Sequence, residues 1–189
     1  KELEAFIQTF SHSIYTKQSR MGEYLTGSKA FFTNYYNNLK FLREAYFANG
    51  LFGKFKNVPA IICGAGPSLE KNIDLIKRLS DKALIIAGGS AINALNSYDL
   101  IPHFTAGIDP NPAQLTRILA NYSYETPFFY RNRIFTEALD IVSGPKLYLT
   151  GAGGYDLPNF IEKRLEIDDK TVIDEGYNVI NFSVSIAHA

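Results

Sequence analysis

The sequence has one cysteine, Cys63, one methionine and no tryptophan. A lone thiol excludes an intrachain disulfide framework and a cysteine-rich zinc site. No charge of either sign is in excess: Lys+Arg and Asp+Glu number 19 each. Broad binding to nucleic acid or to an anionic membrane surface is therefore not expected, although a local phosphate site is compatible with that balance. No apolar run reaches membrane-spanning length and no secretory signal pattern opens the chain, so a cytoplasmic location with no membrane span is the expectation. His12, His103 and His188 are scattered, without metal-ligand spacing, and neither HExxH nor G-x-S-x-G occurs. Cys63 falls inside an apolar run and reads as a core residue.

What is present is the composition of a globular chain: 189 residues, 46% hydrophobic and 20% charged, enough to bury a core. Residues 1–56 are rich in Phe, Tyr, Asn and Lys and contain no proline. Within "NYYNNLKFLREAYFANGLF", Tyr35, Leu39, Leu42 and Tyr46 fall at helical spacings, with Gly50 as the expected stop. This region reads as a helical segment belonging to a larger protein. The chain begins at Lys1 and ends in "SVSIAHA", inside an expected helix, so residues 57–189 read as a domain cut short at its C-terminus.

From residue 59 short apolar runs alternate with helical patterns. Strands are expected at "AIIC" (60–63), "KALIIAG" (82–88), "HFTAGID" (103–109), "TPFFYR" (126–131), "PKLYLTG" (145–151) and "TVID" (171–174). Helices are expected at 68–80, 90–99, 111–122, 133–142 and 178–189. The alternation predicts an α/β fold, a Rossmann-like and mostly parallel sheet with helices on both faces, preceded by the helical segment.

Ligands of such sheets collect where strands run into helices. Loops rich in glycine or polar residues occupy four such positions: "GAGPSL" (64–69), "AGGS" (87–90), "GIDPNP" (107–112) and "TGAGGYD" (150–156). In the first, Gly64 and Gly66 permit a tight turn, Pro67 suits the first helical position, and free N–H groups follow at the positive end of the helix dipole. Ser68 offers a hydroxyl to a phosphate or to the helix as a cap. The loop is either an anion cradle or a capped turn. The third glycine of a dinucleotide fingerprint falls at Leu69, the next strand ends in "IIAGGS" without an acid, and no G-K-[ST] follows, so NAD and P-loop ATP binding are both disfavoured.

Asp109 sits just past the third strand with Pro110 and Pro112 stiffening its loop. A carboxylate there can hold a divalent metal, bond a sugar hydroxyl or act as a base; alternatively it accepts turn N–H groups. Beside "GAGPSL", a ligand role is preferred. Gly88 and Ser90 add flexible backbone and a hydroxyl, with N-capping the alternative use of Ser90. Tyr155 and Asp156 belong to the fourth loop. In "EGYNV" (175–179), Gly176 and Asn178 face a ligand or cap the last helix.

"FKNVPAIICGAGPSLEKNIDLIKRL", "ALIIAGGSAINAL" and "IPHFTAGIDPNP" together resemble the central domain of the Maf (motility-associated factor) flagellin glycosyltransferases. The G-x-G-P-S-L loop is also similar to that of bacterial sialyltransferases and of archaeal 6-hydroxymethyl-dihydropterin pyrophosphokinases. The resemblance implies a CMP-type nucleotide-sugar donor, a nonulosonate, held at Gly64, Ala65, Gly66, Pro67 and Ser68, and a protein acceptor such as flagellin Ser or Thr. It implies a polar or metal role for Asp109 and a ligand-facing turn near Gly176. The family's G-G-S-V is here "GYNV", so Tyr177 and Asn178 stand where Gly and Ser are expected. No cofactor is implied except Mg2+, bound at Asp109 under the pyrophosphokinase alternative; a non-catalytic binding or scaffold domain is the third reading.

Overall fold

The computed structural model describes residues 2–120, 124–151, 156–167, 173, 176 and 178–189. A six-stranded sheet organises them: β1 (Tyr46–Phe47), β2 (Ala60–Cys63), β3 (Leu84–Gly88), β4 (Phe104–Gly107), β5 (Phe128–Tyr130) and β6 (Lys146–Tyr148), in the order β1-β6-β5-β4-β3-β2. Every pairing is parallel. Covered on both faces, the inner strands need no polar alternation, which is why they read as unbroken apolar runs.

Each step from β2 to β6 adds the next strand on the same side, through α2 (Pro67–Leu79), α3 (Ala91–Asn96), α4 (Ala113–Leu119) and α5 (Thr136–Asp140). Right-handed crossovers in one direction put all of these helices on one face. There Ile73, Ile76, Leu95, Ile118 and Leu139 pack on Ile85, Ala87, Phe128, Tyr130 and Tyr148. The opposite face, carrying Ala106, Phe129 and Leu147, is covered by α7 (Val179–His188) through Phe182 and Ile186. The parallel sheet clothed on both faces is thus as the alternation predicts.

The N-terminal region departs in part from its expected form. α1 (Glu2–Asn38) is helical, but the α-helix stops at Asn38, not near Gly50. A 3-10 turn covers Leu39–Arg43, and Tyr46–Phe47 is strand β1 at the sheet edge, beside β6. The cause is local: the Asn38 side chain donates to the carbonyls of Asn132 (2.8 Å) and Ile134 (2.7 Å), tying the helix end to the loop after β5. Asn34 one turn earlier donates to Pro110 O at 2.8 Å. Phe31 and Tyr35 are buried and pack on Ile161 of a helix that the sequence did not announce, α6 (Asp156–Arg164).

α6 also buries Glu162, whose carboxylate accepts from the Tyr148 hydroxyl and from the Gly151 N–H (2.9 Å to Oε2). Burial, and then the neighbouring Glu162 charge, push the Tyr148 phenol far up, so it serves as a neutral donor. The expected strand at 171–174 lies outside the described residues except for Ile173, which joins the α7-side core. Among the described residues no helix is long and apolar enough to cross a membrane.

Candidate functional site

All the strands point one way, so the loops at their carboxyl ends share one edge of the sheet. A cleft of about 760 Å³ opens along that edge. Gly64 and Ala65 from the β2 loop, Gly88 and Ser90 from the β3 loop, Asp109 from the β4 loop and Asn178 from the start of α7 all line it. Loops 114 residues apart in sequence (64 to 178) therefore meet in one cleft. Gly66, Pro67, Ser68 and Gly176 lie off the lining. Tyr155 and Tyr177 fall outside the described residues, whereas Asp156 opens α6.

The β2 loop runs straight into α2. Gly66 is the N-cap and Pro67 takes the first helical position. Ser68 is therefore inside the first turn and does not cap the helix; its carbonyl accepts from Asn72 Nδ2 at 2.8 Å. No side chain caps α2, and the Leu69 N–H bonds the Gly66 carbonyl at 2.9 Å; an uncapped helix start of this kind suits an anion at its remaining N–H groups. A Cβ on Gly66 would meet nothing closer than Ser68 Oγ at 3.9 Å, so the backbone there stands open.

The other glycines of the site make room for α7. A Cβ on Gly88 would fall 2.9 and 3.0 Å from the Val179 methyls, and one on Gly64 would fall 3.2 Å from Ile180 Cδ1. The first turn of α7 thus rests directly on the ends of β2 and β3. Gly176 turns the chain into α7 with a left-handed φ of 59°, and a Cβ there would strike Asn181 Cβ at 2.4 Å. Asn178 is the N-cap of α7, its side-chain oxygen accepting from the N–H groups of Ile180 (2.9 Å) and Asn181 (3.0 Å). Ser90, by contrast, makes no capping bond to α3, which leaves its hydroxyl to the cleft.

Removing the α7 cap is expected to loosen this wall. Asn178→Ala should lower stability by about 1 kcal/mol, the usual worth of an N-cap, read as a shift in the urea midpoint; an unmoved midpoint would show that the cap does not hold α7 on the sheet.

Asp109 is held on both oxygens. Oδ1 accepts from the Asn111 backbone N–H (3.0 Å) and side-chain amide (2.9 Å), and Oδ2 pairs with the Arg117 guanidinium. Partial burial pushes the Asp109 carboxyl up, but the Asn111 N–H, the Arg117 fork and the Asn111 amide together outweigh it and hold the group below the usual carboxylate range. The turn-accepting alternative is realised, together with an ion pair to Arg117. Because the folded value is depressed, the stabilisation is present above the unfolded value of 3.8 and is lost as pH falls through the folded one. The stability difference between wild type and Asp109→Asn should accordingly be constant near neutrality and shrink in acid below that value; a difference independent of pH would contradict the pairing.

Several lining residues were missed. Thr26, Gly27 and Phe31 of α1 close one side of the cleft, and Gln114, Arg117 and Arg133 stand on the wall formed by α4 and the loop after β5. Nothing local in the sequence places α1 over the sheet edge; the asparagine ladder Asn34–Asn38, bonded to loop carbonyls, is what does so. Arg117 was readable in principle, two turns past Asp109 in "NPAQLTRIL". Among the described lining residues Asp109 is the one acidic group, against the cations Arg117 and Arg133. No group of three or more His, Cys, Asp or Glu that could hold a metal occurs among the described residues.

A six-stranded all-parallel sheet with a polar cleft across its carboxyl edge defines an α/β domain of the Rossmann-like class. The chain belongs to the family described as 6-hydroxymethylpterin diphosphokinase MptE-like, which matches residues 33–189. Among solved structures, the fold is similar to that of a Maf glycosyltransferase from Magnetospirillum magneticum AMB-1, with a TM-score of 0.56 and 20% identity over 69% of this chain. The chain spans 20% of that glycosyltransferase's length. No curated protein matches.

Proposed function

We propose that this chain is the donor-binding domain of a transferase that uses a nucleotide-linked sugar, a CMP-nonulosonate, and passes the sugar to a protein hydroxyl such as a flagellin Ser or Thr. The observation that carries the reading is the charge of the cleft. Among the described lining residues the one carboxylate, Asp109, is already committed to Asn111 and Arg117, and the other charged groups are arginines. Such a site handles phosphate charge with backbone N–H groups and guanidinium rather than with a carboxylate-held metal.

The reaction is displacement at the anomeric carbon. The acceptor oxygen forms a bond to that carbon as its bond to the phosphate oxygen breaks, and the electron pair leaves with CMP. The backbone of Gly64 and Ala65, which line the cleft, and the adjoining start of α2 receive the growing phosphate charge, and Arg117 adds a cation from α4. Asp109, ion-paired and held low, is a weak base; its part is to orient Arg117. The acceptor proton goes to a base that the described lining residues do not supply.

The second reading, pyrophosphoryl transfer from ATP to a pterin alcohol, is favoured by the family description. It requires Mg2+ held by carboxylate. Asp109 as placed does not fit that demand, since both of its oxygens have protein partners. Calorimetric titration separates the two: CMP binding in the presence of EDTA supports the sugar-donor reading, whereas binding of ATP with Mg2+ and none of CMP overturns it.

A further inference from the structure

Gln114 raises a question that the fold does not answer. It sits in the first turn of α4, 2% exposed, and contributes to the wall of the cleft. Its Nε2 is buried without a hydrogen-bond partner. The amide occupies space left by Gly107, the last residue of β4: a Cβ there would fall 3.0 Å from Nε2, 2.7 Å from Phe128 Cζ and 2.9 Å from Ile134 Cδ1. A buried amide N–H2 without a partner loses its water and gains nothing from the protein in exchange. Leucine or methionine would fill the same volume without that loss. Groups of this kind persist where a function uses them.

Arg117, one turn further along α4, lines the same cleft. We propose that Gln114 is a specificity-determining residue: its side-chain amide donates to an oxygen of the nucleoside bound in the cleft. The proposal rests on the nucleotide reading given above. A buried donor that only the correct ligand satisfies discriminates strongly, because an analogue without the acceptor leaves the donor unpaired. A merely structural glutamine would do the reverse of what is proposed: replacing it with an apolar residue would relieve an unmet donor and leave binding untouched.

The test is Gln114→Met, with Gln114→Leu as a second variant should the first fail to fold, each measured for thermal midpoint and for CMP affinity by calorimetry. The expected result is a midpoint equal to or above wild type together with a loss in CMP affinity of about tenfold or more. Unchanged CMP affinity in either folded variant overturns the inference and leaves the nucleotide reading standing. Should wild type bind ATP with Mg2+ in place of CMP, the sugar-donor reading fails and the same comparison of variants with ATP decides Gln114. Should wild type bind neither nucleotide, both fall.

Discussion

Replacing Gly88 with valine is expected to lift α7 from the sheet and abolish nucleotide binding. The glycine is not there for its backbone: the left-handed residue in this turn is Gly89, with φ 54°, not Gly88. It is there because the Val179 methyls lie 2.9 and 3.0 Å, and Ser183 Oγ 3.4 Å, from where a Cβ would be. Overpacking of this kind costs about 1–3 kcal/mol even for alanine, and a branched side chain adds to it. The consequence is local as well as global, since Asn178, Val179 and Ile180 form one wall of the cleft. The clash is with side-chain tips, so it should be reversible. Gly88→Ala combined with Val179→Ala should be less destabilised than the sum of the two single changes, a coupling that a double-mutant cycle measures directly. Additive effects would mean that α7 does not rest on β3 in this way.

Arg117→Ala carries the second large effect. The Arg117 side chain is 43% exposed and that of its partner Asp109 24%; Arg117 pairs with the carboxylate and also lines the cleft. Hydrogen bonds to charged groups contribute about 1.5–3 kcal/mol, which translates to roughly a ten- to hundredfold fall in affinity for a nucleotide phosphate. The same change removes one of the groups holding the Asp109 carboxyl low, so that group should titrate closer to its ordinary value. Affinity equal to wild type, measured at low salt where exposed charges act most strongly, would remove Arg117 from the site and weaken the argument drawn from the cleft's charge.

Most of the sheet was legible because its inner strands are buried on both faces and its edge strand β2 is apolar. "AIIC", "LIIAG" and "FFY" are apolar without interruption, and each is followed by glycine, proline or a polar turn before a helical pattern. The site loops were legible for the same reason, since parallel strands deliver all their carboxyl ends to one edge. β1 was not, because Tyr46 and Phe47 form a two-residue strand whose only ladder is with residues about a hundred positions away. In a run as aromatic as "EAYFANGLF" the helical spacing dominates any local reading. α6 was hidden by its mixed polar sequence and by the burial of Glu162, which inverts the usual expectation for a charged residue. The glycines were read as ligand-facing, yet Gly64, Gly88 and Gly176 each also accommodate a side chain of α7. Spacing along the chain cannot separate these two uses of a glycine; only the packing of a distant helix does.

The central claim is that the uncapped first turn of α2, beside Gly64–Ser68, receives the phosphate of a nucleotide lying in the cleft with Arg117. A crystal structure of this chain with CMP tests it most directly. The account predicts the phosphate on the N–H groups of that turn and the nucleoside extending along the wall formed by Asp109, Gln114 and Arg117. CMP bound elsewhere, or bound in the cleft with its phosphate turned away from the start of α2, would contradict it.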